Sequence, residues 1–323
     1  MSNGSAGVSF LPPEFKDVVE ADRDGQFVVR LALILTLYFD RGHSADKRRA
    51  VLDCFNSYFE LLGPELRWWV VDEGRFSPVA KLARKDMSPY LLSDKFEQFD
   101  RHWAFKWHGA EEPQEASDLL ISALGQPKSD SEFHGDLSFL TMAVPLQWAA
   151  VHSDRFLDLA VRCATQLRPF HGYGGIGIVL SENGVADVAV EDRVASIAAQ
   201  HPGVEIDSPM DHAIWTRNAI KGGNWITAVS DPFVEQLGGA EALRRSLGDP
   251  FQVVDYPGGV VIVAGPTPEF GDRNRRVGTP LYRKLARVLK PVRVTEHGGI
   301  SESFEGRFDA EEFQNWLGRF DHD

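Results

Sequence analysis

A chain of 323 residues with 43% hydrophobic and 25% charged content can bury the core of one large domain or of two tandem halves, which excludes a disordered or fibrous polypeptide. Its formal net charge of −13 argues against nucleic acid as a direct ligand, because phosphate binding needs a positive surface. The same charge suits a basic protein partner, whose approach a negative field accelerates, and two cysteines make no disulfide framework and point to a reducing cytoplasm.

In chain order, residues 1–23 read as a flexible leader stopped by Pro12-Pro13, with no positive n-region ahead of an apolar core and hence no signal peptide. Residues 26–40 form a long strand. Its apolar run is too short to span a bilayer and contains Arg30, so no membrane contact is expected. Ser44 then caps a helix whose apolar face is Val51, Cys54, Phe55, Tyr58, Phe59 and Leu62, and residues 66–72 form a second strand. In residues 102–108 the aromatics Trp103, Phe105 and Trp107 alternate as one face of a strand, with an exposed recognition patch as the alternative. Residues 109–135 are polar and irregular, with one short helix expected over 116–124.

The strand–helix–strand unit then recurs. Residues 136–148 are strand-like, Ser153 caps a helix carrying Phe156, Leu159, Ala160, Cys163, Ala164 and Leu167, and residues 176–180 return as a strand. Ser44 and Ser153 are separated by the same offset as Cys54 and Cys163, which predicts an internal pseudo-repeat with halves at roughly 24–110 and 133–323. Both cysteines read as small buried hydrophobes. The expected fold class is α+β, with mixed or antiparallel sheets and helices packed on one face.

Residues 182–211 carry seven acids and the single base Arg193, whereas residues 273–293 carry eight Lys or Arg. In the C-terminal third, residues 225–229 alternate as a strand and Asp231-Pro232 opens a helix that Gly238-Gly239 breaks. Two strands over 251–255 and 259–264 flank the turn Pro257-Gly258, and a basic helix around 282–289 ends at Pro291.

Searches for chemistry return little. Gly172-x-Gly174-x-x-Gly177 has dinucleotide spacing but follows a helix and opens a strand, the reverse of the order that motif requires, so it reads as a helix C-cap and a tight strand entry. G-x-S-x-G, Walker A and H-E-x-x-H are all missing from the sequence, and no histidines stand at i, i+4 as a helical zinc site requires. His102 and His108 flank a strand. The only Glu-x-Lys, Glu14-Phe15-Lys16, sits in the leader, so the chain does not resemble a nuclease itself. No catalytic residue, metal or cofactor is expected. Gly271-Asp272-Arg273-Asn274 is the one polar motif that invites a catalytic reading, and it reads first as a turn in which Asp bonds nearby backbone N–H groups.

The ordered series Tyr173-Gly174-Gly175, Asn224-Trp225-Ile226-Thr227, Leu237-Gly238-Gly239, Gly258-Gly259 with Ala264-Gly265, Gly271-Asp272-x-Asn274, Tyr282-Arg283 with Leu289-Lys290-Pro291, and Phe313-x-x-Trp316-Leu317 resembles one bacterial family. Its members are type VI secretion immunity proteins paired with VRR-type or related restriction-endonuclease-like nuclease effectors. The resemblance covers most of the chain after about Asp24, and residues 64–135 match nothing recognisable. It implies a cytoplasmic protein that neutralises a cognate nuclease, encoded by an adjacent gene, through a tight stoichiometric complex. Blocking of the active site or DNA groove, allosteric inhibition and dimer blocking are equally compatible. The alternatives are an enzyme with a polar site near Asp272 and Asn274, or a module that binds a protein other than a nuclease.

For the partner surface, the acids of the irregular segments are the candidates: Glu111, Glu112, Glu115, Asp118, Asp187, Glu191 and Asp192. Gly271, Asp272 and Asn274 form the candidate motif loop.

Overall fold

A computed structural model describes residues 19–21, 25–181, 188–300 and 308–321 of the chain. The leader expected over 1–23 therefore lies outside the described residues, except for a short strand β1 (Val19–Ala21) paired with the start of β2 (Phe27–Phe39). β2 is an almost unbroken run of Val, Leu, Ile and aromatic residues because both of its faces are covered along most of its length. Helix α1 (Ala45–Leu62) follows, with Ser44 at its N-cap as expected. The Ser44 hydroxyl, however, donates back to the Arg41 carbonyl instead of accepting from the helix.

After strands β3 (Trp68–Val71) and β4 (Ser77–Pro78) and the single-turn helices α2 (Ser88–Leu91) and α3 (Lys95–Gln98) comes β5 (Trp103–His108). Its three aromatics are all buried, so the recognition-patch alternative fails. The helix expected over 116–124 is instead strand β6 (Leu120–Gly125). Local Leu and Ala content favours a helix, but pairing with β5 on one side and β7 (Ser138–Val144) on the other outweighs it. β7 ends earlier than expected, since Pro145 admits helix α4 (Leu146–Leu167) directly. The boundary expected at Ser153 survives as a kink, with His152 at φ −127°.

Strand β8 (His171–Leu180) corrects the reading of its glycines. They are not a helix cap, because the C-cap of α4 is Arg168, and they lie inside the buried strand that the other half of the reading expected. A Cβ on Gly174 would stand 2.8 Å from the Ile34 carbonyl oxygen, and one on Gly175 2.2 Å from Asn224 Oδ1. Helix α5 (Val188–Gln200), strand β9 (Glu205–Ile206) and helix α6 (Pro209–Trp215) then replace what composition suggested was an irregular segment.

The C-terminal third follows the sequence reading closely in β10 (Ile226–Ser230), α7 (Asp231–Gln236), α8 (Ala240–Leu247), the hairpin β11 (Phe251–Tyr256) and β12 (Gly259–Ala264) and α9 (Pro280–Leu289). Helix α10 (Ala310–Leu317) is an addition that the motif residues Phe313 and Trp316 did not announce. The N-cap of α7 is Ser230, one residue before the expected Asp231. Gly238 and Gly239 both take φ +90°, which ends α7 and turns the chain into α8.

These strands form one sheet in the order β11-β12-β10-β8-β2-β7-β6-β5-β3-β4, antiparallel throughout this path, with β1 and β9 as short additions. The fold is α+β as expected. Successive antiparallel pairings make β2 parallel to β3, and β7 parallel to β8. Helices α1 and α4 are therefore crossovers, and they lie side by side on one face of the sheet. Phe55, Tyr58, Phe156 and Leu159 fill that face against Leu33, Leu35, Leu37 and Phe39 of β2. Cys54 and Cys163 meet where the two helices touch, the Cys54 Sγ lying 3.8 Å from the Cys163 carbonyl oxygen, and both are free thiols.

The opposite face is built differently. Residues paired directly across antiparallel strands share a face. Thr227, Tyr173, Thr36, Thr141, Ser122 and Lys106 are paired in this way across β10, β8, β2, β7, β6 and β5, giving a transverse polar row. Rows of Ile34, Ala143 and Leu120 and of Tyr38, Phe139 and Leu124 flank it on either side. Helix α6 covers one end of this face through Met210 and Ala213.

Candidate functional site

The acids expected to meet a partner separate into three groups. Glu111 and Glu112 are exposed in the loop that joins β5 to β6. Glu115 is an internal clamp: its Oε1 accepts from the Phe27 backbone N–H at 3.3 Å and its Oε2 from that of Glu112 at 3.2 Å. Asp118 is half-buried, and burial pushes its carboxyl up while Arg30 opposes the shift. Asp192 is exposed on α5, but its neighbour Glu191 is only 2% exposed, so Glu191 faces the interior. Both sit on a regular helix, not the irregular segment that nominated them. Asp187 lies outside the described residues.

The motif loop is a turn, as expected. Gly271 has φ +70°, and Asp272 Oδ1 accepts from the backbone N–H groups of Asn274 at 2.9 Å and Arg275 at 3.2 Å. The loop is tied to the end of α5 by His201 Nδ1 against the Gly271 carbonyl at 2.8 Å, while Arg273, Asn274 and Arg276 are exposed. His102 is exposed and His108 buried, with His108 Nδ1 accepting from the Ala110 backbone N–H. Among the described residues no group of three or more His, Cys, Asp or Glu is arranged to hold a metal ion, and no helix is long and apolar enough to cross a membrane.

Tyr173, Asn224 and Trp316 of the ordered motif series converge instead on a buried polar centre that composition did not reveal. Glu205, on β9, pairs through Oε1 with Lys221, and its Oε2 accepts from Asn224 Nδ2 at 3.0 Å and Arg319 Nη2 at 3.2 Å. The Lys221 ammonium lies 4.2 Å from the centre of the Tyr173 ring, and the Arg319 guanidinium stacks 3.6 Å from that of Trp316. Burial pushes the Lys221 ammonium down and Glu205 opposes it; burial likewise pulls Arg319 down to about 10. Arg293 and Asp321 form a bidentate pair beside this centre. It fastens α10 to the sheet, which explains why Tyr173, Asn224 and Trp316 lie far apart in sequence yet belong together.

Beside it on the open face lies a groove of about 380 Å³. Asp207 stands at one end, its carboxylate accepting from Thr36 Oγ1 at 2.8 Å and from the Tyr173 hydroxyl. Thr36 and Thr141 share a hydrogen bond at 3.1 Å, and the Tyr38 and Tyr173 hydroxyls another at 3.2 Å. Burial pushes the Asp207 carboxyl up, against the pull of Lys221 and the two hydroxyl donors. In the sequence Glu205 and Asp207 stand out only as charge in an acidic stretch. The alternation Glu205-Ile206-Asp207 was the available strand signal.

This arrangement, an open antiparallel sheet closed by helices on one face and grooved on the other, is an α+β class already represented among solved structures. A structure titled Pseudomonas aeruginosa T6SS protein PA0821 has a TM-score of 0.82 with this chain at 24% identity, over 94% of this chain and 87% of that one. Residues 50–320 match the family TsiV, type VI immunity for VRR-NUC, and the chain belongs to that family. No curated protein sequence matches it.

Proposed function

We propose that this protein neutralises a VRR-type nuclease effector by forming a tight stoichiometric complex in the cytoplasm, with no chemistry of its own. The family match over residues 50–320 is the observation that carries this reading, and the net charge of −13 supports it. A nuclease must present a positive surface to the phosphate backbone, and an acidic inhibitor covers such a surface by occupying the places of phosphates. Glu111, Glu112 and Asp192 are the exposed acids suited to that role, Asp118 is a half-buried acid of the loop that carries the first two, and Asp187 is a candidate of the same kind outside the described residues. Glu115 and Glu191 support the fold around them.

Co-expression with the nuclease domain encoded beside the gene tests the proposal. Growth should be rescued by the wild-type chain. Reversing Glu111 and Glu112 to lysine should slow association and weaken its dependence on salt, with folding intact. Continued killing in the presence of soluble wild-type protein would refute the neutralising role.

A further inference from the structure

The groove on the open face is more than a gap between strands. Lys106, Ser122, Thr141 and Thr36 line up across four adjacent strands, a span of about 14 Å at about 4.8 Å per strand. Asp207 closes the row at its inner end. Apolar side chains, among them Ile34 and Phe139, form the banks. Proteins do not usually leave a buried hydroxyl without a partner. Ser181, which lines this groove and is 3% exposed, has its Oγ in that state.

The surroundings set the sign of the occupant. The β5–β6 loop that carries the exposed Glu111 and Glu112 hangs at the same end of the sheet as Ser181. Ala116 of that loop donates its N–H to the Phe27 carbonyl, while the Ser181 N–H bonds the next carbonyl, that of Val28. Lys106 and Asp207 are the charged side chains of the lining and stand at opposite ends of the row. Asp207 takes hydrogen bonds from Thr36 and Tyr173 while the nearby Lys221 is paired with Glu205, so the inner end favours a cation whose stem is apolar. Arginine and lysine have that form, with methylene groups that lie along apolar banks and a charged head that seeks a carboxylate.

We propose that this groove receives a loop of the nuclease partner, seating one of its arginine or lysine side chains on Asp207 with the stem between Ile34 and Phe139. The inference rests on the neutralising role proposed above and names the contact through which it acts. The seated cation replaces solvent at the Asp207 carboxylate, and the neighbouring chain supplies the missing partner of Ser181.

The test uses the full-length protein, the nuclease domain encoded beside its gene, and N-acetyl-arginine methylamide as a probe free of the partner. Two variants are measured by calorimetry: Asp207→Asn, which removes the charge, and Ser122→Trp, which fills the groove from its outer side without touching the Asp207 hydrogen bonds. Both should weaken nuclease binding by at least about thirty-fold, the loss typical of removing one member of a desolvated charge pair, with thermal unfolding of Ser122→Trp near that of wild type. Nuclease binding at wild-type affinity in both variants would overturn the proposal and leave the neutralising role standing. Retained nuclease binding together with Asp207-dependent binding of the arginine probe would likewise overturn it, and would assign the groove to a small cationic molecule. If wild-type protein binds no nuclease, the neutralising role fails first, and failure of the probe to bind then removes the groove with it.

Discussion

The two faces of the central strand β2 carry opposite solutions to burial. Its odd-numbered positions, Leu33, Leu35, Leu37 and Phe39, lie under α1 and α4 in a layer whose contacts are almost wholly apolar. Its even-numbered positions from Ile34 to Tyr38 meet a polar row, a groove, and a network of tyrosine, threonine, aspartate and histidine. One strand therefore separates a layer that supplies stability from a layer whose buried polar groups each need a specific partner. Apolar packing tolerates any neighbour of the right volume, whereas a buried hydroxyl or carboxylate does not. The open face is thus where recognition can be built, and where it can be damaged with the least loss of fold.

Four substitutions or conditions separate the two faces. The largest effect belongs to the covered one: Phe55→Ala, which removes a ring packed against Phe59, Phe105 and Trp107, should cost about 3–5 kcal/mol by denaturant unfolding. On the open face Gly175→Ala forces a methyl group against Asn224, 2.2 Å from its Oδ1, and should cost about 1–3 kcal/mol while disturbing the Asn224–Glu205 bond. An equal loss from both substitutions would remove the distinction drawn here.

Acid should act on the buried histidines of the open face. His171, stacked on Tyr38, is held down to about 3 by burial and by Lys221, and burial holds the neighbouring His212 well below its ordinary value. The unfolded chain protonates these rings near 6.5 while the folded chain does not. The stability they confer is therefore complete above that pH and is lost as pH falls below it, by at most about 1.4 kcal/mol per ring per pH unit. Melting temperature followed from pH 7.5 to 5 (roughly the span over which an ordinary histidine titrates) should fall less steeply in His171→Asn than in wild type. The smallest effect is expected of Thr141→Val, which removes one hydrogen bond to Thr36 and should cost about 1 kcal/mol.

The sequence disclosed the covered face far better than the open one, for a physical reason. Helix periodicity located Val51, Cys54, Phe55, Phe156 and Cys163 because amphipathic spacing is local, and the same holds for the alternating aromatics of β5. The C-terminal strands and helices were readable because Gly238-Gly239 and Pro257-Gly258 punctuate them. Strand β6 is not legible locally because its identity depends on two distant strands and not on its own Leu and Ala. The polar row escaped altogether: Lys106, Ser122, Thr141, Thr36 and Tyr173 come from five strands, and only the sheet register brings them into line. Asp207 and Glu205 looked like members of an acidic run because sequence shows charge without showing burial. The family resemblance pointed to Tyr173, Asn224 and Trp316, and the structure supplies the Glu205 centre that unites them.

The central claim is that this chain disarms a nuclease by binding it, and titration calorimetry against the VRR-type nuclease domain proposed as its partner tests it most directly. The account predicts an equimolar, tight complex whose affinity falls as salt is raised, because opposed charges draw the two surfaces together. Soluble, folded proteins that mix without heat and without a stable complex would contradict it.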